Sequence, residues 1–148
     1  MYDYNCTIDR IIDGDTVDVH IDLGFGIVMQ SQRVRIAGID TPESRTRDLI
    51  EKQFGLASKK RAEELLPVGE KFVLLTQLDR RGDVKTGKFG RILGDFQIGD
   101  STFAKIMLEE GQAAPYEGGS KEELEAIMMA NREKLLESGV VVLDPNFK

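Results

Sequence analysis

Apolar and polar side chains alternate from Val17 to Leu23, with Val17, Val19, Ile21 and Leu23 set against Asp18, His20 and Asp22. A period of two predicts a strand with one face buried. Thr7 to Ile12 predicts a strand before it, and the Asp13-Gly14-Asp15 turn joins the two as a hairpin. Gly24-Phe25-Gly26 interrupts the pattern. Val28 to Ile36 is a third strand, with Val34 and Ile36 on one face and Arg33 and Arg35 on the other. The period then changes. From Gln53 to Leu66, the residues Phe54, Ala57, Ala62, Leu65 and Leu66 share a helical stripe that Pro67 and Gly69 end. Lys71 to Leu78 predicts a fourth strand, buried over Phe72-Val73-Leu74-Leu75. A polar loop, Asp79–Gly90, leads to a fifth strand from Arg91 to Ile98.

Ser101 is the expected N-cap of a second helix over Thr102–Glu110, which Gly111 stops. A loop from Ala113 to Gly119 follows. Ser120-Lys121-Glu122-Glu123 then fits the capping box of a third helix, which runs to about Glu137 with Leu124, Ile127, Met128 and Leu135 as its buried stripe. Gly139 breaks it, and residues 139–148 form a tail with no assigned element. Five strands with three helices predict an α+β domain. Closure of the strands into a small barrel is expected because it hides the sheet edges. Residues 1–148 read as one domain, with a core over 7–136.

Composition narrows the setting. The chain has 148 residues, 41% hydrophobic and 31% charged, which is globular rather than disordered. No apolar run approaches the roughly 18 residues of a membrane helix. Cys6 is the only cysteine, and the N-terminus shows no basic-then-apolar leader, so a cytoplasmic, reducing setting is expected. The net charge of −6 argues against a general nucleic-acid coating protein. Basic residues nevertheless cluster, at Arg80, Arg81, Lys85, Lys88 and Arg91 and again at Lys59–Arg61. A basic rim around an acidic pocket suits a polyanionic substrate, and a solvated helix face explains Lys59–Arg61 equally well.

The candidate chemistry lies at three places. Asp13-Gly14-Asp15-Thr16 is an acidic turn. Arg35 to Glu43 carries an arginine on a strand and two carboxylates about a Thr-Pro corner. Lys88-Phe89-Gly90-Arg91 sets a second arginine beside a glycine. Each alone is weak, since Asp-Gly is a common turn and Asp-Thr-Pro-Glu a common helix start. Together they hold two arginines able to grip a phosphate, several hard oxygen ligands for a divalent cation, and a spare carboxylate for a base. These are the parts of a metal-dependent phosphodiesterase. His20, the lone histidine, reads as a solvated side chain on the polar face of its strand.

The order and spacing of Ile12–Val17, Arg35–Glu43, Lys88–Arg91 and Leu108–Ala113 resemble the staphylococcal nuclease (thermonuclease) family. The resemblance covers about residues 7–136 and implies a five-stranded OB barrel with three helices. It implies that Asp15, Asp40 and the Thr41 carbonyl bind calcium. It further implies that Glu43 is a general base or water positioner and that Arg35 and Arg91 hold the scissile phosphate. Asp13 either shapes its turn or supports the metal ligands. Lys88 either contacts a substrate phosphate or is solvated. Tyr116 lies where the family places aromatic residues near the nucleotide, and Phe89 stands where a tyrosine is often found, keeping stacking without the hydroxyl. The implied activity is calcium-dependent hydrolysis of DNA and RNA with little sequence specificity, leaving 3′-phosphate ends, by a monomer. The alternative is a non-catalytic nucleic-acid- or protein-binding module on the same fold, against which Arg35, Asp40, Glu43 and Arg91 argue. A scaffold role in a larger particle is a further rival, tied only to the tail and the acidic last helix.

Overall fold

A computed structural model describes residues 2–77, 91–116 and 120–148. Leu78, the loop Asp79–Gly90 with Lys88 and Phe89, and residues 117–119 therefore lie outside the described residues. In chain order the elements are β1 (Tyr2–Asp13), β2 (Thr16–Gly24), β3 (Ile27–Ile36), β4 (Ile39–Asp40), α1 (Leu49–Leu65), β5 (Lys71–Thr76), β6 (Ile92–Ile98), β7 (Ser101–Thr102), α2 (Phe103–Glu109), β8 (Ala114–Pro115) and α3 (Lys121–Glu137).

Alternation in the first third of the chain produces a meander in which β1, β2 and β3 pair antiparallel. The other edge of β1 takes β5, and β5 takes β6. β6 then lies parallel to β3, from Val34 with Ile92 to Ile36 with Gly94. That pairing closes five strands into a ring in the order β1-β2-β3-β6-β5, the expected OB architecture. Inward-facing Ile8, Ile11, Val17, Val19, Val34, Ile36, Leu74 and Phe96 fill the ring, and Ala62 and Leu66 at the end of α1 with Phe103 and Met107 of α2 plug it.

The differences from the sequence-based expectation have local causes. β1 begins at Tyr2 rather than Thr7, because β5 supplies partners from Tyr2 onward. α1 begins at Leu49 rather than Gln53. Asp48 caps it, its Oδ1 accepting the N–H groups of Ile50 and Glu51 at 3.1 Å each. Leu49 and Ile50 face solvent, so the first turn carries no buried stripe to reveal it. Thr102, not Ser101, caps α2, accepting the Lys105 N–H at 3.3 Å. In α3 only Leu135 is buried, and Ile127 is exposed. Polar ties from Asn131 to the Ala113 carbonyl (3.1 Å) and from Lys134 to the Glu109 carbonyl (2.9 Å) help hold this helix. The tail acquires a place that sequence did not assign. Val141 buries against Phe54 and Leu135, the Asp144 N–H donates to Gln53 Oε1 at 2.8 Å, and Lys52 lies over the Phe147 ring. The pairing of β4 with β8 leaves no pattern in the sequence, because each contributes only two residues. Among the described residues no helix is long and apolar enough to cross a membrane.

Candidate active site

The first acidic turn is pressed between two neighbours. A Cβ at Gly14 would lie 3.0 Å from both Ser58 Cβ and Thr41 Cγ2, so a larger residue would press the turn against α1 and the Thr-Pro corner. Asp15 leaves this turn and ties the two acidic segments together. Its Oδ1 accepts the Thr16 hydroxyl at 3.0 Å and its Oδ2 accepts the Thr41 N–H at 3.3 Å. The Ile36 N–H also donates to the Asp15 carbonyl at 2.9 Å, fixing the end of β3. Asp40 reaches the same place from β4, which β8 holds through the Asp40–Ala114 pair.

Arg35 projects from β3 between the two carboxylates. Its Nη2 stands 3.5 Å from Asp15 Oδ2 and 3.6 Å from Asp40 Oδ1, and its Nη1 donates to the Ile36 carbonyl at 3.0 Å. Its strand neighbour Arg33 is instead committed to Asp18, bonding both carboxylate oxygens at 2.9 and 3.2 Å. Two arginines on one face of β3 thus have separate duties.

Crowding of anions sets the electrostatics. Burial, then the neighbouring Asp15, pushes the Asp40 carboxyl above its ordinary range, while Arg35 pulls it down. Burial pushes Asp13 up as well. The nearby polar groups of Ser44 oppose this, and Asp15 adds to it. Asp13 Oδ1 is buried with no hydrogen-bond partner among the described residues. Glu43 is exposed at the tip of the corner and is also raised, first by partial burial and then by Asp13, Asp15, Asp40 and Glu51. Asp13, Asp15, Asp40 and Glu43 therefore crowd one another, opposed by Arg35 at Asp40 and by Arg45 at Asp13, an arrangement that added positive charge would relieve.

The donor set fits a hard divalent cation such as calcium, being carboxylate and carbonyl oxygen throughout, with an orphaned carboxylate oxygen close behind. No three histidine, cysteine or acidic groups among the described residues form a closed cage. Asp15 and Asp40 would supply the charged ligands, leaving positions for water and substrate oxygens.

The structure thus brings Asp15, Arg35, Asp40 and Thr41 together, with Glu43 on the adjoining loop. Arg91 stands half-buried just before β6. The parallel register sets Val34 opposite Ile92 and Arg35 opposite Leu93, so Arg91 enters the strand that adjoins β3 two residues before the partner of Arg35. Tyr116 is exposed and follows β8 directly, its N–H bonded to the Gly38 carbonyl at 2.9 Å, next to the strand that carries Asp40. Lys88 and Phe89 lie outside the described residues. His20 is not simply solvated. Its Nδ1 accepts the Ser31 N–H at 3.0 Å and its Nε2 is 3.4 Å from Asp9, which makes it a structural contact across the hairpin. Arg61 is committed to Glu110 through two bonds of 2.7 and 2.8 Å, so that part of the basic cluster ties α1 to the end of α2. Sequence reasoning passed over Ser44, Gly55 and Ser58, which back the two acidic loops. A glycine within a helical stretch was the available signal for Gly55.

A family model described as staphylococcal nuclease homologue matches residues 33–136. Over 109 residues the chain is 30% identical to Endonuclease YncB of Bacillus subtilis (strain 168), covering 74% of this chain and 46% of that protein. Over 107 residues it is 32% identical to the SPbeta prophage-derived endonuclease YokF of the same organism, covering 72% of this chain and 32% of that protein. The chain therefore spans less than half the length of these relatives. The family match contains Arg35, Asp40, Glu43 and Arg91, while Asp15 precedes it and joins the site by geometry.

Proposed function

We propose that this chain, which belongs to the staphylococcal nuclease homologue family, is a calcium-dependent nuclease that hydrolyses phosphodiester bonds in DNA and RNA and leaves 3′-phosphate ends. The observation that carries the reading is the convergence of Asp15, Asp40 and Arg35, from a hairpin turn, a two-residue strand and β3, beside an exposed carboxylate of raised pKa. The names of the two relatives, both endonucleases, point the same way.

Asp15, Asp40 and the Thr41 carbonyl would hold calcium, which when bound neutralises phosphate charge and stabilises the charge that develops on the substrate oxygens. The remaining chemistry belongs to the chain's own side chains. Arg35 presents a planar donor fork beside the carboxylates and binds the scissile phosphate, and Arg91 binds it from the entry to β6. Both stabilise the extra negative charge of the pentacoordinate state. Glu43 Oε takes the proton of the attacking water. Its exposed position on the loop after the Thr-Pro corner lets it reach a water beside the cluster. Water adds to phosphorus opposite O5′, the P–O5′ bond breaks, and O5′ leaves as a hydroxyl once solvent supplies a proton. Low sequence specificity is part of the same reading, since recognition through phosphate contacts carries no base information.

Plasmid DNA and a structured RNA incubated with the protein in calcium, and in chelator, test this reading. Cleavage in calcium alone, with products that accept a 5′-phosphate from a kinase but carry a blocked 3′ end, is expected. Intact substrate in calcium would establish the non-catalytic alternative, and 3′-hydroxyl products would overturn the assigned polarity.

A further inference from the structure

Gly55 lies in the interior of α1, where glycine is the poorest choice after proline. Its φ is not in the left-handed region, so the backbone conformation does not demand it. The demand is steric. A Cβ at position 55 would overlap the Glu43 carbonyl and lie 2.6 Å from the Ser44 nitrogen. The bare backbone of α1 is therefore the surface on which the Glu43–Ser44 peptide rests. Ser44 itself is buried, and it stands close enough to Asp13 to lower the pKa of that carboxyl. One turn along α1, fully buried Ser58 backs Gly14 and bonds the Gln112 carbonyl at 2.8 Å, so the same helix face also supports the Asp13–Asp15 turn.

We propose that Gly55 is a positioning residue for Glu43, forming with Asp13 and Ser44 a seat that delivers the Glu43 carboxylate to the Asp15–Asp40 cluster. The proposal rests on the reading of Glu43 as the proton acceptor. Any side chain at 55 pushes the Glu43 peptide off the helix. A displacement on the order of 1 Å at a reacting group can cost about 10²-fold in rate. Arg35, Asp15 and Asp40 have anchors of their own in strand pairing and in the bonds from Thr16 and Thr41 to Asp15, which Gly55 does not touch, so substrate and calcium binding should change far less than turnover.

The test is a double-mutant cycle of Gly55→Ala with Glu43→Gln, reading kcat, KM and, by calorimetry, calcium affinity. Ala57→Gly serves as a control that loosens the same helix without touching Glu43. Gly55→Ala is expected to lower kcat about 10²-fold with KM and calcium affinity within about threefold, to add little in the Glu43→Gln background, and to differ from Ala57→Gly, which should keep its turnover. An equal loss in both backgrounds, or no loss in either, overturns the proposal. If Gly55→Ala does not fold, Ser44→Ala trims the buried side chain carried by the same peptide. It should then lower kcat only when Glu43 is present, and the lack of such an effect likewise overturns the seat. Full activity of Glu43→Gln alone would remove the base and the proposal with it, and that failure is visible in a single variant that leaves Gly55 intact.

Discussion

Replacement of Arg35 by glutamine should weaken the metal-free protein and yet tighten its grip on calcium. The guanidinium Nη2 lies 3.5 Å from Asp15 and 3.6 Å from Asp40, with the three side chains between 13% and 30% exposed. At an effective dielectric of about 20, each contact carries roughly 5 kcal/mol of gross Coulomb energy. Desolvation and the water that still reaches the groups reduce the net value to about 1–2 kcal/mol. Arg35 therefore acts as a resident cation competing for the oxygens that calcium would use. Its removal should lower unfolding free energy in chelator by that amount at neutral pH. It should also tighten calcium binding by roughly 5- to 30-fold, the same energy expressed as an affinity ratio. Turnover should meanwhile fall on the order of 10²-fold or more, because the phosphate loses its bidentate partner. Urea denaturation in chelator and calcium titration calorimetry, both at fixed ionic strength, measure the two halves of the argument. A folded Arg35→Gln protein with unchanged or weaker calcium affinity would refute the competition.

Three further outcomes follow from the same geometry. Arg91→Lys keeps the charge but loses the fork and should cost about 10²-fold in turnover with little change in thermal stability; wild-type turnover would take Arg91 out of the phosphate site. Phe54→Ala empties the junction of α1, α3 and the tail and should cost about 3–5 kcal/mol in urea denaturation; a loss below about 1 kcal/mol would mean that the tail does not seal this cluster. The calcium-induced rise in melting temperature should grow between about pH 4 and neutrality. Burial and mutual repulsion raise the folded pKa values of Asp13, Asp40 and Glu43, so their contribution in chelator is fully present below the unfolded value and is lost as pH rises through the folded one. A calcium-induced shift that is flat with pH, read by scanning calorimetry, would contradict this.

Local pattern carried much of the fold. The period of two in Val17–Leu23 requires one buried face, and Val17, Val19 and Ile21 take it. Ser120 caps α3 as its spacing indicates, accepting the Glu123 N–H at 3.1 Å. Where a segment's partner is distant in sequence, pattern was mute. Nothing in Tyr2–Cys6 announces that β5 will extend β1, and nothing in the tail announces that Gln53 will bond Asp144. α1 begins earlier than its stripe because its cap, Asp48, is a side-chain-to-backbone bond, while its first turn is exposed and periodicity reports only burial.

For the site, residue types and their order pointed to the acidic turn, the Thr-Pro corner and the arginines, because hard oxygen donors and planar cations have few other uses in such proximity. Tertiary structure alone decided which of them meet. Arg33 and Arg35 are indistinguishable by strand face, yet one is spent on Asp18 and the other stands between Asp15 and Asp40. His20 looks solvated from its strand position and is tied across a hairpin only because Ser31 and Asp9 arrive from neighbouring strands. Gly55 reads as a flaw in a helix until the Glu43 peptide is found lying against it. The amino-acid order determines the chemistry available and the local geometry of each element, because both depend on near neighbours. Pairing of charges and close backbone approaches depend on closure of the barrel and the docking of α1, and those set distances between residues that the chain itself keeps far apart.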